Sequence, residues 1–120
     1  MVTVVNKYKV DIQPEDLYIG RGSVLGNPYT HLDSVKCNKA KYFVKTREEA
    51  VQKYKNYILK RVLVNDVDVI NEFYKIIHTD RDLRLVCFCK PKSCHGDIIV
   101  ELCQDEVFKQ AIDIKFKELN

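Results

Sequence analysis

Cys87, Cys89, Cys94 and His95 fall within one short stretch, Leu-Val-Cys-Phe-Cys-Lys-Pro-Lys-Ser-Cys-His-Gly-Asp. Thiols and imidazole bind zinc, and a thiol beside an imidazole can also act as a nucleophile with the ring as its base. Three readings compete. The first is packing, since cysteine is among the most buried residue types; this suits Cys87, inside an apolar run, and also Cys37 and Cys103. The second is a metal site, in which Cys87, Cys89, Cys94 and His95 would converge on zinc at roughly 2.0–2.3 Å. A Cys-x-Cys pair on one strand face fits, but adjacent Cys94-His95 makes a poor chelate. The sequence therefore predicts no resident metal, with zinc as the alternative. The third reading, and the favoured one, makes Ser93 the N-cap of a helix. The N–H groups of Cys94, His95 and Gly96 would then face an anion, and the helix dipole would activate the Cys94 thiol. Lys90 and Lys92 add positive charge, and Gly96 lets a ligand come near. Chemistry there would use Cys94 or Cys89 as nucleophile and His95 or Asp97 as acid or base, with Cys94 the most reactive of the five cysteines.

A second constellation is Gly20-Arg21-Gly22-Ser23-Val24-Leu25-Gly26-Asn27-Pro28, which holds three of the four glycines. Glycines permit positive φ and close backbone approach. Arg21 offers a fork of donors matched to phosphate or carboxylate. Asn27 both donates and accepts, so it can read a base or sugar edge. The spacing is neither that of a Walker loop nor that of the dinucleotide fingerprint. A structural turn with an exposed Arg is the plain alternative.

These loops need elements to hold them. Val2–Val10 reads as a first strand, and Leu17–Ile19 as a very short strand or loop wall. Tyr29–Val44 reads as irregular, with a turn at His31–Ser34. Thr46-Arg47-Glu48-Glu49 is a capping box opening a helix whose inner face carries Ala50, Tyr54, Tyr57, Ile58 and Arg61. A second helix runs from caps within Asn65–Asp68 to about His78, with Val69, Ile70, Phe73, Ile76 and Ile77 inward. Leu83–Cys89 has the length and composition of a strand buried on both faces. A third helix follows Ser93, and Asp105 caps a fourth bearing Phe108, Ile112 and Phe116. The expected fold is a single small α/β domain with a short, mostly parallel sheet and flanking helices. Residues 1–104 form its core and 105–120 a helical extension of the same domain.

At 120 residues the chain has the size of one domain. Its net charge of +3 admits a nucleotide or nucleic-acid partner without arguing for one. Its N-terminal residues lack the apolar core of a signal peptide, and no apolar run reaches membrane-spanning length. With an odd number of cysteines, this leads to the expectation of a reducing, cytoplasmic location.

Taken together, Gly-Arg-Gly-x-x-Leu-Gly-Asn-Pro-Tyr, Arg-Glu-Glu-Ala-Val-x-Lys-Tyr and the Cys-x-Cys-x-Pro…Cys-His-Gly-Asp segment resemble a family of small proteins common in bacteriophages and known as a domain of unknown function. The resemblance covers about Val2 to Leu102. It marks Arg21, Gly22, Gly26, Asn27 and Pro28 in the first loop, and Cys87, Cys89, Pro91, Cys94, His95, Gly96 and Asp97 in the second. Phe88 stands where an aromatic residue, often Trp, is usual. The resemblance implies no activity. The combined expectation is that the two loops meet at one end of the sheet. There Arg21, Gly22, Gly26, Asn27, Lys90, Ser93 and Gly96 would bind a nucleotide, a nucleoside phosphate or a similar small anion, with two alternatives: a non-catalytic binding or inhibitor protein acting on a host factor or signal nucleotide, and a small metal-stabilised module.

Overall fold

The structure, a computed structural model, describes residues 1–30, 42–88 and 94–120. The turn expected at His31–Ser34, Cys37, and the segment Cys89, Lys90, Pro91, Lys92 and Ser93 lie outside the described residues.

Three strands, β1 (Val2–Asn6), β2 (Leu17–Tyr18) and β5 (Leu83–Cys87), form an all-parallel sheet in the order β1-β5-β2. Val2 pairs with Leu83 and Asn6 with Cys87 on one side of β5, while Leu17 and Tyr18 pair with Leu85 and Val86 on the other. β5 is thus the central strand, as its apolar run predicts. A second pair, β3 (Tyr29–Thr30) with β4 (Tyr42–Phe43), is also parallel. The sequence reads this region as irregular because two-residue strands are too short to show a period of two.

The described residues form four helices, α1 (Arg47–Leu63), α2 (Val67–Ile77), α3 (His95–Gln104) and α4 (Glu106–Leu119), of which α1, α2 and α4 start at caps that the sequence predicts. Thr46 accepts the Glu49 N–H at the start of α1, Asp66 accepts the Val69 N–H at α2, and Asp105 accepts the Phe108 N–H at α4. Glu49 reaches back one residue beyond the expected box, to the Lys45 N–H. Leu83, Leu85 and Cys87 enter one core with Tyr54, Ile58, Phe73, Ile99 and Ile112. Phe73 meets Phe108 edge-on, and Tyr74 stacks on Phe116 at 3.6 Å, so α4 packs on α2 as part of the same body.

Strand periodicity turns Arg84, Val86 and Phe88 to the other face of the sheet. Residues 7–16 are held to that side by Arg84. Its Nε and Nη2 donate to both carboxylate oxygens of Asp16 at 3.0 and 2.7 Å, and Nη2 also donates to Asp11 O at 2.7 Å. Both main strands are shorter than expected. β1 stops at Asn6, whose side chain accepts the Tyr8 N–H at 2.8 Å and turns the chain. β5 stops at the register partner of Asn6, Cys87.

The Arg84 side chain beside Asp16 holds that carboxyl down at about 2. A carboxyl depressed in the fold contributes stability that is present above its unfolded value near 3.9 and is lost as pH falls through the folded one. Arg84→Met is expected to free residues 7–16, raising their amide exchange well above that of β5. Its stability deficit relative to the natural chain should be constant above about pH 4 and shrink toward pH 2. A deficit independent of pH would assign the loss to packing instead.

Candidate functional site

All three strands of the main sheet point the same way, so their carboxyl ends share one edge, where ligands of α/β folds usually bind. β2 runs into the glycine loop there, and α3 is the next element after β5. The two motifs meet: His95 Nε2 lies 2.5 Å from Ile19 O. A carbonyl only accepts, so Nε2 carries the proton. The imidazole is 8% exposed and meets the Tyr54 ring edge-on at 4.9 Å. Burial pulls its pKa from 6.5 down to about 4, and the Arg21 guanidinium adds to the effect; the bond to Ile19 O and the Asp97 carboxylate oppose it. His95 is therefore neutral at pH 7, with Nδ1 as its acceptor.

The start of α3 differs from expectation. Its N-cap is Cys94, with extended backbone (φ −147°, ψ 149°), and not Ser93. Cys94 Sγ accepts the Gly96 N–H at 3.3 Å, and Asp97 Oδ2 accepts the Cys94 N–H at 3.3 Å, a capping box with a thiol in the usual hydroxyl position. The first-turn N–H groups of Cys94 and Gly96, expected to face an anion, are thus taken by the protein itself. The thiol lies 3.8 Å from His95 Nδ1 and is 1% exposed. The pair has the atom types of a nucleophile and its base, but solvent does not reach it. Gly96 also has a different use from the one expected. A Cβ there would lie 2.9 Å from both Ile19 Cδ1 and Val4 Cγ1, so the missing side chain lets α3 dock on β1 and the end of β2.

In the glycine loop, Gly22 has φ 92°, which suits glycine. A Cβ on Gly26 would lie 2.7 Å from Gly20 O, so this glycine lets the loop close on itself. Asn27, expected to read a ligand edge, is buried and engaged within the protein: Oδ1 accepts the Tyr29 N–H at 2.9 Å and Nδ2 donates to Ala50 O at 3.1 Å. Tyr54 Oη donates to Leu25 O at 2.6 Å. α1 therefore holds the loop at two points. Arg21 Nη2 donates to Tyr29 O at 2.8 Å, while its Nε is buried with no hydrogen-bond partner among the described residues. The loop borders a cleft of about 210 Å³ walled by Arg21, Gly22, Ser23, Asn27, Pro28 and Tyr57. Tyr57, which the sequence places only on the inner face of α1, was missed as a site residue.

A model of the family described as "Domain of unknown function (DUF4326)" matches residues 2–105. The chain belongs to this family. A protein of Enterobacteria phage T4, described as an uncharacterized 12.4 kDa protein in the nrdA-td intergenic region, is 32% identical over 112 residues, covering 93% of this chain and 85% of its own length. No solved structure matches. The DUF4326 match takes in both loops, the sheet and α3, and ends at Asp105, the cap of α4.

Cys87 sits at the end of β5 and is buried. Cys103 is half-buried, and burial pushes its thiol up to about 12. Among the described residues no three His, Cys, Asp or Glu side chains are grouped to hold a metal ion, and Cys89 of the alternative zinc set lies outside them. No described helix is long and apolar enough to cross a membrane.

Two outcomes follow. Because the folded pKa of His95 lies below its unfolded value, its contribution to stability is complete above about pH 6.5 and is lost as pH falls toward 4. At 1.36 kcal/mol per pKa unit this amounts to about 3 kcal/mol. His95→Gln can still donate to Ile19 O, and it should remove that share of the pH dependence in urea titrations at pH 7 and 4.5. An unchanged pH dependence would mean that His95 is not held neutral. Secondly, iodoacetamide should label Cys94 and Cys103 slowly in the native protein and quickly in urea. Cys94→Ser should keep the helix cap, whereas Cys94→Ala should cost about 1 kcal/mol. Rapid native labelling of Cys94 would show that the cap opens.

Proposed function

We propose that this protein binds a small nucleoside phosphate at the carboxyl edge of its sheet, with the phosphate in the cleft beside Arg21. The observation that carries the reading is the Arg21 guanidinium. It is anchored at one nitrogen to Tyr29 O, and its Nε–H is buried without a partner among the described residues. An unsatisfied buried donor costs about 1–3 kcal/mol, and more on a charged group. An anion reaching that N–H would remove the cost. The cleft volume suits a phosphate and part of a sugar, below the roughly 300–1,000 Å³ of sites that enclose a whole drug-sized ligand.

The reading is one of binding more than of thiol chemistry. Cys94 is buried as a helix cap, so a mechanism with Cys94 as nucleophile and His95 as base would first require the cap to break. The protein would then act as a phage-type accessory factor in the host cytoplasm, holding a nucleotide pool or signal.

A thermal-shift screen over nucleoside monophosphates, nucleosides and inorganic phosphate tests the reading, since a ligand bound only by the native state raises the melting temperature. Arg21→Ala should weaken the binding of a stabilising monophosphate roughly ten- to hundredfold, and Arg21→Lys should recover little. A destabilised Arg21→Ala protein with unchanged affinity would leave Arg21 a purely structural residue.

A further inference from the structure

Beside the glycine loop, three aromatic rings stand in solvent. Tyr8, Tyr18 and Phe88 are 79%, 41% and 41% exposed, yet they are gathered together. The Tyr8 and Phe88 centroids are 5.4 Å apart, and Tyr18 meets Phe88 edge-on at 5.8 Å. The Lys7 ammonium lies 5.5 Å from the centre of the Phe88 ring. The group is built on a fixed frame. The buried side chain of Asn6 accepts the Tyr8 N–H at 2.8 Å and donates to Phe88 O at 3.4 Å, and Lys7 N–H donates to Cys87 O at 2.8 Å. Tyr18 folds over Gly20, where a Cβ would collide with its ring, and its hydroxyl donates to Arg21 O at 3.2 Å. Arg21 therefore joins the two features: it lines the cleft, and its carbonyl accepts the bond from Tyr18 in the aromatic group.

We infer that Phe88, Tyr18 and Tyr8 form the stacking platform for the base of a mononucleotide whose phosphate lies at Arg21. This inference rests on the proposed nucleoside-phosphate site and deepens it. The cleft is too small for a base as well as a sugar and phosphate, so the base must lie outside it, and the rings are linked to the cleft residue Arg21 through the Tyr18 hydroxyl. Flat π-faces stack on bases of any identity. Lys7 and Arg21 argue against a cationic guest of the kind aromatic cages take, and in favour of one that carries negative charge. With a net charge of only +3, the chain lacks the strong positive charge expected of a groove that tracks a long phosphate backbone. The occupant is therefore a mononucleotide and not a nucleic-acid strand.

The chain contains no tryptophan, so Phe88→Trp places a single indole in the platform. Nucleoside 5′-monophosphates should quench its fluorescence saturably, whereas ribose 5-phosphate should bind without quenching. On the natural protein, the best monophosphate should bind roughly five- to hundredfold more tightly than ribose 5-phosphate, and Phe88→Leu should erase most of that difference. Monophosphate and ribose 5-phosphate binding alike, with Phe88→Leu neutral, would overturn the platform and leave the anion site standing. A single-stranded oligonucleotide binding more tightly than any monophosphate would overturn the choice of occupant. If neither the monophosphates nor ribose 5-phosphate raised the melting temperature of the natural protein, the underlying site would fall together with the platform.

Discussion

The bond from the His95 imidazole to the Ile19 carbonyl is the tie on which the carboxyl edge depends. It joins the chain leaving β2 to the first residue of α3, two segments far apart in sequence, inside a region from which water is excluded. A buried imidazole costs free energy unless its polar atoms are satisfied. Here both nitrogens are used, one by Ile19 O and one facing the Cys94 thiol. The ring then packs on Tyr54, whose hydroxyl holds Leu25 O, so a single stack of contacts passes from α3 through α1 to the middle of the glycine loop. The loop is shaped from beneath by core residues, and its outer side is left to form a cleft.

The same edge shows how the two faces of a small sheet are used differently. Helices cover the face bearing Leu83, Leu85 and Cys87. On the other side, residues 7–16 are fastened by the two-pronged contact of Arg84 with Asp16. A bidentate guanidinium–carboxylate pair fixes orientation as well as position. This contact and the Asn6 side chain together determine where the Tyr8 ring stands. A chain segment with almost no regular structure is thereby given a fixed geometry by two polar side chains.

Much of this was legible in the sequence, because the signals were local. Capping residues marked α1, α2 and α4, and an unbroken apolar run marked the central strand. The nearness of the two motifs was legible in the sequence, the roles of their residues less so. Types and spacing picked out Arg21, Asn27, Cys94, His95 and Gly96. They could not show that Asn27, Cys94 and Gly96 face the protein, since a polar residue suited to a ligand is equally suited to a loop, a cap or a close helix contact. Capping preferences favour a hydroxyl and so pointed to Ser93, whereas the extended residue that accepts the Gly96 N–H is Cys94. The aromatic group was invisible for a related reason. Tyr8, Tyr18 and Phe88 belong to three different segments, and only the parallel register brings them together.

That register also governs how the chain is assembled. β1 and β2 are each paired with β5 and not with one another, so among the described residues neither has a partner in this sheet until Leu83–Cys87 has been made. Contacts between residues so distant in sequence form late, after the local helices, and slow the folding of small domains. During that wait Val-Thr-Val-Val is an apolar strand with an unpaired edge, the kind of segment that aggregates. The lysines at positions 7 and 9 follow it directly, where charged gatekeepers are most effective. Lys7 later settles over Phe88. The same ammonium group thus protects the nascent strand before the sheet closes and lends its charge to the exposed rings afterwards.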